Sequence, residues 1–200
     1  PEAALQPEAV VGSIVANCNP FTLGHRYLIE EALKRCDYLH LFVLSDRRTF
    51  YSPADRFQMV QAGTADLERV ILHRASDYIV SAATFPTYFM KEKTEAGKAN
   101  CRLDLELFGK RIAPALGITR RFVGTEPECA VTDCYNVTMK EVLPDLGIQV
   151  TEIPRREIGG EVISASLVRA AVKEGQPEKI RELVPESTWK RIRSTDARKA

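Results

Sequence analysis

Two short runs of this sequence bring together residue types that can hold a phosphate. Near the start, Asn19-Pro20-Phe21-Thr22-Leu23-Gly24-His25 places a hydroxyl, an imidazole and a glycine within one turn. Thr22 and His25 supply donors for phosphate oxygens, and Gly24 allows backbone or ligand to come close. Near the end, Ile163-Ser164-Ala165-Ser166-Leu167-Val168-Arg169 offers two hydroxyls and, one turn on, a guanidinium able to fork across two oxygens. Each run also has a plainer reading. Thr22 and Ser164 are good helix caps, and His25 would then ride on a first turn.

The elements around these runs decide how much they mean. Residues 10–16 form a β-branched apolar run of the kind a strand buried on both faces needs, broken at Asn17-Cys18-Asn19-Pro20. Residues 23–35 carry a helical apolar stripe, and residues 38–44 return to strand. The alternation continues with a helix at 53–63 opened by Pro53, a strand at 70–73 and an irregular aromatic stretch through Phe85 and Tyr88. A helix at 103–116 ended by Gly117, a strand at 121–123, a helix at 132–143 and a strand at 149–153 follow, then helices at 165–174 and 183–192. This predicts an α/β fold: a Rossmann-like doubly wound parallel sheet of about five strands with a C-terminal helical tail. Both chemical runs then sit at helix starts, where free N–H groups and the positive end of the helix favour an anion.

The chain of 200 residues, 44% apolar, carries 28 basic and 27 acidic residues and a formal charge of +1. That predicts one folded domain over residues 10–193, a linker at 1–9 and a polar tail at 194–200, and it provides no field to gather nucleic acid or an anionic membrane. No apolar run reaches the length of a spanning helix, and residues 1–9 lack the regions of a signal peptide, so a cytoplasmic protein is expected, with no nucleic-acid or membrane partner. The five cysteines are odd in number and scattered, which fits reduced core thiols. The linker-like opening fits a domain taken from a longer protein.

A T-x-G-H turn directly after the first strand of such a chain resembles the nucleotidyltransferase superfamily named for its H-x-G-H signature. Thr22 stands for the first His, and Asn19-Pro20 for an Asp-Pro. That superfamily also carries an I-S-x-S-x-x-R/K segment, matched at Ile163 to Arg169. The stretches 17–28, 83–89 and 121–127, with Val131-Thr132 and Tyr135-Asn136, resemble the citrate lyase ligase family from about Gly12 to Pro185.

The resemblance implies a ligase that uses ATP, with Mg²⁺ held mainly by the phosphates, to activate acetate. Acetate would pass to the CoA-like thiol arm of the citrate lyase acyl carrier subunit, switching the lyase on. It implies catalytic roles for Thr22, His25 and Arg169, and nucleotide contacts at Asn17, Asn19, Pro20, Phe21, Gly24, Gly124, Glu126, Ile163, Ser164 and Ser166, with no protein-built metal site. Arg47, Arg48, Arg56, Phe85, Tyr88 and Lys91 are candidates for the second substrate, each also readable as surface or core. His40 and His73 fall in predicted strands and read as structural. Two alternatives share the motifs: an adenylyltransferase acting on a phosphorylated acceptor such as phosphopantetheine or a mononucleotide, and a nucleotide-binding regulatory module.

Overall fold

The computed structural model of the chain describes residues 9–46, 49–75, 95–125 and 130–196. Five parallel strands form one sheet: β1 (Val11–Ala16), β2 (Tyr38–Val43), β3 (Val70–Arg74), β4 (Arg120–Gly124) and β5 (Gln149–Ile153), in the spatial order β3-β2-β1-β4-β5. The order reverses between β1 and β4. At such a switch point the connections leave in opposite directions and open a crevice beyond the carboxyl ends of the strands.

Helices α1 (Leu23–Leu33) and α2 (Pro53–Gly63) join the first three strands. They share one apolar cluster with the C-terminal helices α5 (Ala165–Lys173), α6 (Pro177–Leu183) and α7 (Glu186–Asp196), through Ile29, Met59, Val168, Ile180 and Ile192. A second cluster, on Phe42, Leu105, Phe108, Met139 and Leu143, is built with α3 (Glu95–Leu107) and α4 (Ala130–Val142). Each cluster draws on strand residues, so the sheet is covered on both faces and its strands read as near-continuous apolar runs.

Several elements differ from expectation for identifiable reasons. Helix α3 starts at Glu95 rather than near residue 103, because its first turns, Glu-Ala-Gly-Lys-Ala-Asn, lack an apolar stripe. It runs on through a π-helical turn, Phe108–Ile112, and a short segment Ala113–Ala115, and Gly117 in the left-handed region (φ 66) ends it. The helix expected over 183–192 starts at Glu186 instead, and a further helix that was not expected, α6, ends at Leu183. Pro185 disfavours helical backbone at the residue before it, and Val184 is extended (φ −128, ψ 154), so α6 stops and α7 starts afresh. A small antiparallel hairpin, β6 (Glu157–Ile158) and β7 (Glu161–Val162), turns through Gly159 and Gly160, both at positive φ. Its sequence signal is the Gly159-Gly160 pair, which suits a two-residue hairpin turn.

No helix among the described residues is long and apolar enough to cross a membrane. Cys18, Cys36 and Cys101 are buried free thiols and Cys134 is half-buried. His40 and His73 stack between β2 and β3, with His40 Nδ1 2.7 Å from His73 Nε2.

Candidate active site

The turn after β1 is held from inside the fold. Arg56, fully enclosed on α2, donates from Nη1 to the carbonyl oxygen (2.7 Å) and the side-chain oxygen (2.6 Å) of Asn17, and from Nη2 to the carbonyl of Asp46 (2.6 Å). A guanidinium so placed shapes the loop, and the expectation of Arg56 as a surface residue or substrate contact gives way to a supporting role. Cys18 sits at φ 49, and the Asn19–Pro20 peptide is cis. The side-chain oxygen of Asn19, itself buried, accepts the N–H of Tyr51 at 3.0 Å, tying this turn to the one after β2.

Thr22 then caps α1. Its hydroxyl accepts the N–H of His25 (3.3 Å), and the Thr22 N–H donates back to His25 Nδ1 (3.1 Å), a reciprocal capping box. The Thr22 hydroxyl also lies 2.8 Å from Nδ1. Because a backbone N–H can only donate, Nδ1 must be the unprotonated nitrogen, and the neutral imidazole carries its proton on Nε2. Burial, and then the charge of Arg155, push His25 down to a pKa of about 4. The cap and the chemistry are therefore one arrangement: the contacts that cap the helix leave Nε2–H as a neutral donor. Phe21, fully buried, stacks under the imidazole with centroids 5.8 Å apart and fills the space beside Gly63. Its ring supports His25, and Pro20 is buried with it.

The two motifs meet at Gly24. A Cβ there would stand 2.7 Å from the carbonyl oxygen of Ile163, so only glycine lets the first turn of α1 lie against the segment that enters α5. Ile163 is buried, Ser164 caps α5 by accepting the N–H of Leu167 (3.1 Å), and Ser166 stays exposed. Arg169 reaches back, donating from Nη1 to the carbonyl of Asn19 (2.6 Å) and from Nη2 to the Ser166 hydroxyl (2.9 Å). The result is two helix N-termini side by side, a neutral imidazole donor, a hydroxyl and a guanidinium. Such a set stabilises several adjacent negative oxygens rather than one.

On the far side of the switch point, Gly124 ends β4, and its carbonyl accepts from the Asn136 side chain (3.2 Å). Beside it stands Arg155, which no motif contained: its Nε donates to the carbonyl of Thr125 at 2.6 Å. Only the position of Arg155 just beyond a strand end could have marked it. Arg47, Arg48, Phe85, Tyr88, Lys91 and Glu126 lie outside the described residues. Among the described residues no three His, Cys, Asp or Glu side chains gather to hold a metal ion.

The match to known sequences is extensive. The family model described as the citrate lyase ligase C-terminal domain covers residues 11–192. The chain belongs to that family. It is 49% identical to the citrate (pro-3S)-lyase ligase of Haemophilus influenzae over 183 residues, covering 89% of this chain and 55% of that protein. It is 45% identical to the ligase of the same name from Klebsiella pneumoniae over 187 residues, covering 92% and 55%. This citrate lyase ligase domain thus spans about half the length of the curated relatives it matches.

Among solved structures, Thermotoga maritima TmcAL in its apo form aligns with a TM-score of 0.61 at 12% identity, over 94% of this chain and 57% of that one. A second TmcAL structure, bound with alpha-thio ATP, gives 0.55 at 15%, over 94% and 56%. A Vibrio parahaemolyticus protein described as a putative nicotinate-nucleotide adenylyltransferase gives 0.57 at 15% identity over 93% of both chains. At these identities the likeness is one of fold, and the expected doubly wound parallel sheet of five strands is the one observed.

Proposed function

We propose that this domain binds ATP across the β1–β4 switch point and uses it to activate acetate, which the whole ligase then transfers to the thiol arm of the citrate lyase acyl carrier subunit. The observation that carries the reading is the junction of the two motifs: Gly24 lies against Ile163, and Arg169 donates to the Asn19 carbonyl. Membership of a family whose relatives are named citrate (pro-3S)-lyase ligases supports a ligase reaction, and a protein of the same fold carries alpha-thio ATP.

In the first step an acetate oxygen attacks the α-phosphorus in line. A P–O bond forms, the bond to the bridging oxygen breaks, and acetyl-adenylate and pyrophosphate result. Acetate is already an anion, so no base is needed, and the protein's task is to position the reactants and to meet the charge that grows on the leaving pyrophosphate. His25 donates through Nε2–H, Thr22 orients it, and Arg169 forks onto the phosphates. Asn17, Asn19, Pro20, Phe21, Gly24, Ile163, Ser164 and Ser166 shape the nucleotide site through backbone and cap, Gly124 borders it, and Glu126 remains a candidate contact. Mg²⁺ would enter on the triphosphate, its charge meeting the phosphate oxygens.

In the second step the carrier thiol attacks the acetyl carbon, the thioester forms, AMP leaves and the thiol proton goes to solvent. Arg47, Arg48, Phe85, Tyr88 and Lys91 remain candidates for the acceptor side. The reaction belongs in the cytoplasm, where ATP and the thiol acceptor are available.

Product analysis tests the reading. ATP, acetate and the thiol-form carrier should yield a carrier heavier by one acetyl group together with AMP and pyrophosphate. A dinucleotide formed from a phosphorylated acceptor, with no thioester, would replace this reading by the adenylyltransferase.

A further inference from the structure

The run Thr22 to His25 is bracketed by Phe21 before it and Arg26 after it, and both of these side chains reach one residue, Gly63, at the end of α2. A Cβ on Gly63 would stand 2.5 Å from Phe21 Cε1, 2.7 Å from its Cδ1 and 3.6 Å from the Ser187 hydroxyl of α7, so the fully buried ring already lies against bare backbone. The same ring stacks with the imidazole of His25, its plane 21° from parallel.

Arg26 closes the bracket. Its Nη1 donates to the Gly63 carbonyl (2.8 Å) and to Asp66 Oδ1 (2.7 Å), its Nη2 to Asp66 Oδ2 (2.7 Å), and its Nε to Glu30 one turn along α1 (2.7 Å). Its backbone N–H donates to the carbonyl of Thr22 at 3.1 Å. A single planar group bonded on these sides fixes the first turn of α1 against the end of α2 in both distance and angle. The fork adds little to overall stability, since the Arg26 side chain is 21% exposed and that of Asp66 66%, and ion pairs so near solvent contribute little. What it sets is local. The capping box decides which imidazole nitrogen donates, and the tilt and depth of the ring depend on what packs on its face, which is Phe21 seated on Gly63.

We propose that Arg26 is a positioning residue for His25: by bonding the Gly63 carbonyl it keeps the end of α2 beneath Phe21, and through Phe21 it holds the imidazole where Nε2–H meets the leaving pyrophosphate. This rests on the ATP reading above for what Nε2–H does, and adds the residue that aims it.

The test compares this chain with R26M and R26K in three measurements: acetate-dependent pyrophosphate release at saturating MgATP, MgATP affinity by calorimetry, and the NMR shifts of the His25 ring protons, which feel the ring current of Phe21. In R26M kcat should fall about tenfold to a hundredfold with MgATP affinity within about threefold, because a donor misplaced by about 1 Å costs rate before it costs binding. The His25 shifts should move toward those of an unstacked imidazole. R26K keeps the charge without the fork and should fall between the two on both readouts. Unchanged kcat in R26M overturns the proposal, as does a lowered kcat with His25 shifts unmoved or with MgATP affinity lost to the same extent. If R26M melts well below the parent, R26K decides alone, and parental kcat and shifts in it overturn the proposal. A parent chain without acetate-dependent release overturns the ATP reading instead; the NMR comparison then decides whether Arg26 sets the imidazole, and unmoved shifts overturn that too.

Discussion

Arg169 donates from Nη1 to the carbonyl oxygen of Asn19 across 2.6 Å, so a residue of the last motif completes the turn that holds the first. The same guanidinium reaches the Ser166 hydroxyl through Nη2. A lysine has one point of charge and cannot span both acceptors while also meeting a phosphate. R169K is expected to lower kcat/KM for ATP by about tenfold to a hundredfold, or about 1.4 to 3 kcal/mol. Steady-state kinetics beside a melting curve would check this, and unaltered kcat/KM would leave Arg169 as a structural strut.

Gly24 faces the carbonyl oxygen of Ile163, where a methyl group would be 2.7 Å away. Both sides of that contact are backbone, so neither yields cheaply. G24A should cost about 1 to 3 kcal/mol of stability and part the two helix starts. Denaturant unfolding reads the first effect and ATP titration the second; a variant as stable and as tightly binding as the parent would show that the motifs need not touch.

Arg56 is the internal brace of the site, with three oxygens of Asn17 and Asp46 as its partners. In R56M those acceptors lose their donors inside the fold, at about 1 to 3 kcal/mol for each buried group left unpaired. The expected outcome is a loss of about 3 kcal/mol or more in urea unfolding. A change near zero would mean that water replaces the guanidinium.

Protonation should act on stability through histidines. His25 is held at about 4, and His40 and His73 are both lowered from the ordinary value of 6.5, mainly by burial. His40 and His73 also face one another at 2.7 Å, room for one proton between them. A group with a depressed folded pKa binds fewer protons folded than unfolded, so its stabilisation is complete above about 6.5 and is lost as pH falls from there toward 4. Urea midpoints at stepped pH should therefore fall between pH 6.5 and 5, and His73→Asn should flatten that slope. A midpoint constant over this range would contradict the assigned protonation states.

The strands of the sheet were readable because burial on both faces leaves an unbroken apolar run, as in β1 and β2, and α2 was readable to the residue because Ser52 and Pro53 mark its start. Thr22, His25, Ser164 and Arg169 stood out because their types and spacing at helix starts carry meaning without coordinates. What the motifs could not convey was direction. Arg56 and Phe21 belong to the site's interior, because burial depends on what packs above them. Arg155 was invisible since one arginine after a strand resembles any other until Thr125 is seen to hold it.

The capping box fixes His25 Nδ1 as an acceptor and so leaves Nε2–H as the donor to which the proposed mechanism assigns charge stabilisation. Acetate-dependent pyrophosphate release from MgATP, compared between the chain and His25→Ala, tests that claim most directly. The expected result is release that requires acetate and falls about a hundredfold in the variant, roughly 3 kcal/mol of transition-state stabilisation, with a much smaller change in ATP affinity. Release at the parental rate in His25→Ala would contradict it.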